Sequence, residues 1–293
     1  MLTTGVCDVD PVRHAEARHI WHLESPGQLL FPTADLHAAV AGDEPIVVWG
    51  TRAFSDLVWI WWALDGLARI GVDRERCYLA RPDHDDRTVT VGGTAPEYLQ
   101  LALANAHRIT DDEWREATAL WFKFASPSPL AFDEARRAGG LAFPELTASA
   151  DVYGAWFPRL HDNRISLSLL DEALLAACSD ERRTTREILD QLSDEQDDQR
   201  GVFDACFPIE RLQAWAELGV LERQSDFEVR GFHDDPFVAD RFRATDLTRS
   251  RLTNGLDHVD SAPVMYIGGC RINDSATPFL RVDTDGGWRL VAG

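Results

Sequence analysis

The stretch VVWGTRAFSDLVWIWWALDGL (residues 47–67) carries the reading of the fold. With Pro45 and Ile46 before it, its opening is a short apolar run rich in β-branched side chains and closed by Gly50, the pattern of a buried strand. Thr51 to Ser55 make a turn. From Phe54 to Ile70 apolar residues cover nearly the whole helical circumference, broken by Asp56, Asp65 and Arg69, which predicts a largely enclosed helix. Gly71 supplies its C-terminal cap, and Cys77 to Ala80 follow as a second strand. The result is a β-α-β unit, with parallel strands joined by a right-handed crossover. Four tryptophans, Trp49, Trp59, Trp61 and Trp62, lie in this stretch, and those on the helix read mostly as core rather than as a stacking platform.

The turn after the first strand is a different matter. In an open parallel sheet, ligands sit beyond the carboxyl ends of strands, where helix N-termini present free amides. Gly50, Thr51, Arg52, Ser55 and Asp56 occupy that place, and an anion fits there. The structural reading is equally available: Ser55 as an N-cap and Gly50 as a turn residue. His84 and Asp85, in the acidic loop RPDHDDR (81–87) after the second strand, fall on the same rim, and a histidine beside carboxylates has its pKa raised toward that of a base.

Composition narrows the function classes. The 293 residues carry 49 acidic against 29 basic side chains, a formal charge of −20, so the field repels phosphate backbones and anionic membrane surfaces. The five cysteines are widely spaced and form no C-x-x-C pair, which argues for reduced thiols and against structural zinc. The first residues show no apolar run after a basic start, and no segment reaches the roughly 18 apolar residues of a membrane span. A cytoplasmic location is expected. His14, His19, His22 and His37 with Asp35 fall short of a metal set, since the one helical pair, His19 and His22, offers too few ligands.

Beyond the first unit, helices are predicted over 96–107, 109–125, 129–138 and 144–160, the second opened by a Thr110/Glu113 capping box. From Ile165 the order resembles a winged helix-turn-helix. SLSLLDEALLAACS, then TTREILDQLS with a Thr184/Glu187 box, then FPIERLQAWAELG give three helices, and VLERQ with FEVRG supply wing strands. Between Asp162 and Arg223 fifteen acidic residues face seven arginines, and the third helix sets Arg211 against Glu210 and Glu217, so a DNA-reading role is disfavoured. LTRSRLTNG reads as a further helix, followed by short strands at APVMYIGGCRI, PFLRVD and GWRLV.

Three segments, VVWGTRAFSDL (47–57), FPRLHDNRISLSLLDEALLAA (157–177) and FRATDLTRSRLTNG to YIGGCRI (242–272), resemble in order a bacterial family known as the domain of unknown function numbered eighteen thirty-five. The most specific likeness is Tyr266, Ile267, Gly268 and Gly269, which match the family's W/Y-[IL]-G-G strand after a helix. The resemblance implies an α/β N-terminal part coupled to a winged-helix-like C-terminal part, and no reaction. The chain departs from the family in lacking a G-D-S turn before Glu44 and in carrying Arg52 and Ala53 where relatives have histidine and aspartate.

The expected architecture is an α/β N-terminal unit with a short parallel sheet (1–94), a helical middle (95–160) and a winged-helix-like α+β part with terminal strands (161–293). No G-x-S-x-G elbow, H-E-x-x-H helix or nucleotide-binding glycine loop is present, so neither a catalytic set nor a cofactor or metal is expected. The leading expectation is a non-catalytic module that binds a protein through its C-terminal half and a small anionic ligand at Gly50, Thr51, Arg52, Ser55, Asp56, His84 and Asp85. The alternatives are an enzyme using the Arg52/His84 rim and a winged-helix transcriptional regulator.

Overall fold

In the computed structural model, which describes residues 41–82, 90–91, 94–195, 207–225 and 240–293, the quoted stretch forms β1 (Ile46–Trp49) and α1 (Phe54–Arg69). β1 pairs in parallel with β2 (Cys77–Ala80), in the register Val48 to Leu79, so the predicted β-α-β unit is present. α1 is enclosed because apolar side chains surround it: Leu57, Val58, Ile60, Trp61 and Leu64 have no exposed surface. Burying each such side chain contributes roughly 2 kcal/mol.

α2 (Pro96–Ala104) leads to β3 (His107–Arg108), which adds to β2 antiparallel. α3 (Asp111–Phe124) packs along α1 and opens with the predicted box, in which Thr110 and Glu113 cap each other's amides. α4 (Leu130–Ala138) completes an aromatic cluster: Phe132 lies 5.4 Å from Phe124 and 5.8 Å from Trp61, ring centre to ring centre. Of the three helix-borne tryptophans, Trp61 and Trp62 are core, 0% and 6% exposed, and Trp59 is half-buried.

The helix predicted over 144–160 is a correction. Only two short turns form there, α5 (Leu146–Ser149) and α6 (Asp151–Gly154), and the remainder becomes β4 (Arg159–His161). Pro158 has no amide to continue a helix, and a partner distant in sequence takes the segment instead. β4 turns through Asp162 and Asn163, both at positive φ (48° and 58°), into β5 (Arg164–Ser166). Asp and Asn adopt that left-handed conformation more readily than most residues.

α7 (Leu169–Ala177) is capped by Ser168, β6 (Arg183–Thr184) and α8 (Thr185–Glu195) follow, and Thr184 with Glu187 forms the second predicted box. α9 (Phe207–Glu217) precedes β7 (Leu221–Ser225), which pairs antiparallel with β8 (Asp240–Ala244). These strands form a sheet in the order β6-β8-β7. The FEVRG segment, expected as a wing strand, lies outside the described residues. α10 (Asp246–Asn254), β9 (Met265–Ile267) and β10 (Cys270–Ile272) match the expected helix and short strands. β11 (Phe279–Thr284) and β12 (Gly287–Ala292) join β4 and β5 in a four-stranded mixed sheet, β12-β11-β4-β5.

The chain is thus mixed α/β, its sheets small and none closed among the described residues. It divides into two compact units, residues 1–151 with 266–270, and residues 152–265 with 271–293. In the first, the turn Gly268–Gly269 sits on the C-terminal end of α3, where the Gly269 amide donates to the Phe124 carbonyl at 3.0 Å. A Cβ on Gly269 would lie 2.0 Å from the Ala125 carbonyl oxygen, so only glycine permits this approach. No helix among the described residues is long and apolar enough to cross a membrane.

Candidate functional site

At the end of β1 the chain builds its own cap. Thr51 is fully buried, and its amide and hydroxyl donate to the Asp56 carboxylate at 3.0 and 2.8 Å. The Val91 amide donates to the same oxygen at 2.9 Å. The Thr51 hydroxyl in turn accepts from the Ala53 amide at 3.1 Å. The N-cap residue of α1 is Ala53, not Ser55; it makes no side-chain cap, and Asp56 in the first turn ties the preceding Thr51 to the helix start instead. The helix end that the sequence offers to an external anion therefore already faces a carboxylate of its own.

The other rim residues have identifiable roles. A Cβ on Gly50 would fall 2.5 Å from the Ile60 side chain, so this glycine lets α1 settle against the strand end. The Arg52 carbonyl accepts from the Ser149 hydroxyl at 2.7 Å, tying the turn to α5. Arg81, the first residue after β2, pairs with Glu145 and reaches the Thr51 carbonyl at 3.4 Å. The structure thus brings Gly50, Thr51, Ser55 and Asp56 together in one capped turn, with Arg52 beside them, and adds Arg81, Glu145 and Val91. His84 and Asp85 lie outside the described residues, as do the N-terminal histidines. Arg81 had a local signal in its place directly after a strand, whereas Glu145 and Val91 had none.

In the second unit a buried ion pair replaces apolar packing. The Arg211 Nε and Nη2 donate to the two Asp171 oxygens, each at 2.6 Å, and both side chains are 2% exposed. Asp171 also accepts from Trp215 Nε1 at 2.7 Å and from the Ser168 hydroxyl at 2.8 Å. Arg211 Nη1 donates to the Pro263 carbonyl at 2.6 Å, which accepts from Asn273 Nδ2 at 2.7 Å as well. A fork-to-fork pair of this kind fixes both partners, and here it locks α9 to α7.

A cleft of about 450 Å³ opens in the same unit between the β4–β5 hairpin, the start of α7 and the C-terminal end of α10. Arg159, Arg164, Arg251, His161, Asp162 and Glu172 line it. Arg159 pairs with Glu172 and donates to the Leu167 carbonyl at 3.1 Å. Arg251 Nη1 meets Asp257 at 3.1 Å, while its Nε is buried with no acceptor among the described residues. Arg164 is exposed and makes no side-chain ion pair among the described residues. The three described cysteines, Cys77, Cys178 and Cys270, are buried thiols, and burial pushes Cys178 and Cys270 up to about 12. They are poor nucleophiles.

Comparison of the chain with family models, with curated proteins and with solved structures finds no match.

Proposed function

We propose that this chain is a non-catalytic binding protein whose C-terminal unit is winged-helix-like and contacts another protein, and that it is a divergent relative of the family numbered eighteen thirty-five. The order α7, β6, α8, α9, β7, β8 supports the winged-helix reading. The observation that carries the choice of partner is the position of Arg211. Reading a DNA groove takes basic or amide side chains on the outer face of the third helix. Arg211 is the one cation of α9, and it is turned inward onto Asp171. Its neighbours Glu210 and Glu217 are acidic, and Gln213 is engaged by Asp240 at 2.7 Å. Beside the helix, Leu218 (45% exposed) and Leu247 (38% exposed) present apolar surface suited to a protein partner.

Two measurements test the reading. Anisotropy with duplex DNA at low salt is expected to show no binding; an affinity that falls steeply as salt rises would establish a nucleic-acid partner and overturn it. A photo-crosslinking residue placed at Leu218 in the native host is expected to give one discrete protein adduct. Its absence would count equally against the proposal.

A further inference from the structure

The cleft between the β4–β5 hairpin and α10 collects three of the protein's 29 basic side chains in a chain of net charge −20. Their partners are unevenly shared. Arg159 is neutralised by Glu172 and Arg251 is half engaged by Asp257, whereas among the described residues Arg164 makes no ion pair and Arg251 Nε has no acceptor. A buried donor without an acceptor is costly, and an entering oxyanion supplies one. Guanidinium groups match the planar oxygens of carboxylate and phosphate, and the binding geometry is strongest where the fork is not already taken. The same cleft is also lined by Asp162 on the hairpin turn, which pairs with His161 at 3.3 Å, and by Thr253 and Asn254 at the end of α10. A purely anionic ligand meets repulsion there, whereas hydroxyl or amine groups find acceptors.

We propose that this cleft binds a small molecule that bears a carboxylate or phosphate together with hydroxyl or amine donors, with Arg164 and Arg251 holding the oxyanion. The site is separate from the surface assigned to a protein partner, and either assignment can fail alone.

Calorimetric titration with glycerol 3-phosphate, glycerate and inorganic phosphate, each at millimolar concentration, tests it. One site per chain is expected for glycerol 3-phosphate or glycerate, with inorganic phosphate weaker because it lacks the carbon-borne hydroxyls. Which of the two binds more tightly decides between phosphate and carboxylate. Arg164→Gln is expected to weaken binding about tenfold, equivalent to about 1.4 kcal/mol, and Arg164→Lys by less, since it keeps the charge but loses the fork. Arg164 is exposed and unpaired, so its variants fold normally, and an unchanged thermal midpoint checks this. Absence of binding by all three probes, or binding indifferent to Arg164→Gln, overturns the proposal.

Discussion

Replacing Asp171 by leucine leaves the Arg211 guanidinium charged, 2% exposed and deprived of both its 2.6 Å acceptors, with only the Pro263 carbonyl remaining. Removing one partner of a buried ion pair costs about 3–5 kcal/mol, a large part of a total stability of about 5–15 kcal/mol. With a urea m-value of about 2 kcal/mol/M, that lowers the midpoint by about 1.5–2.5 M. The double variant Asp171→Leu/Arg211→Met removes both charges. Its residual losses are the acceptors of Trp215 Nε1 and of the buried Ser168 hydroxyl, about 1–3 kcal/mol each, and the stacking of Arg211 over the Trp215 ring at 5.6 Å. Pro263 keeps Asn273 as a donor, and the Ser168 hydroxyl keeps the residue-171 amide at 3.0 Å. The double variant is therefore expected to be more stable than Asp171→Leu alone. Urea unfolding of wild type, both single variants and the double variant, followed by far-ultraviolet circular dichroism, measures the cycle. Additive losses, or a single-variant loss below about 1 kcal/mol, would refute the ion pair as the lock between α7 and α9.

Asp56→Ala removes the acceptor of two amides and the buried Thr51 hydroxyl, and a loss of about 2–3 kcal/mol is expected by urea unfolding. Gly269→Ala forces a Cβ onto the Ala125 carbonyl and is expected to cost about 1–3 kcal/mol, whereas Gly286→Ala, with open space around it, is expected to be neutral. Burial raises the Asp65 carboxyl above its ordinary value, against the opposing pull of Arg69. Its native state thus binds protons more readily than the unfolded chain, so stability relative to Asp65→Asn is greatest at acid pH and falls as pH rises through the raised value. A relative stability that rises with pH instead would show the Arg69 pair to dominate. Iodoacetamide at pH 8 is expected to leave Cys178 and Cys270 unmodified in peptide mapping until denaturant is added.

Much of the first unit was legible because its signals are local. The run Ile46–Trp49, the helical circumference of Phe54–Arg69 and the Thr110/Glu113 box each lie within one element. The β4–β5 hairpin was missed for the opposite reason. Its strands are three residues long, and β11, more than a hundred residues later, completes their sheet. The Asp162-Asn163 dipeptide was the only local mark of that turn. At the strand-end turn the sequence placed Gly50, Thr51 and Asp56 next to one another, but it could not show that Asp56 is held by Val91, which is 35 positions away. Arg211 shares a helical face with Trp215 four residues on, so its inward direction was readable in principle from the period of α9. Arg159, Arg164 and Arg251 come from separate segments, and only the fold gathers them into one cleft.

The return of Tyr266–Cys270 to the first unit has a consequence for synthesis. That unit receives its last strip about 120 residues after its main body ends at Asp151. At about 5–20 residues per second, the ribosome takes roughly 6–24 s to deliver it. During that interval the end of α3 around Phe124 and Ala125 waits without the backbone that will cover it, while the intervening chain is still emerging. A nascent-chain arrest series is therefore expected to show protease resistance of the first unit rising in two steps, the later one only after Cys270 has cleared the exit tunnel.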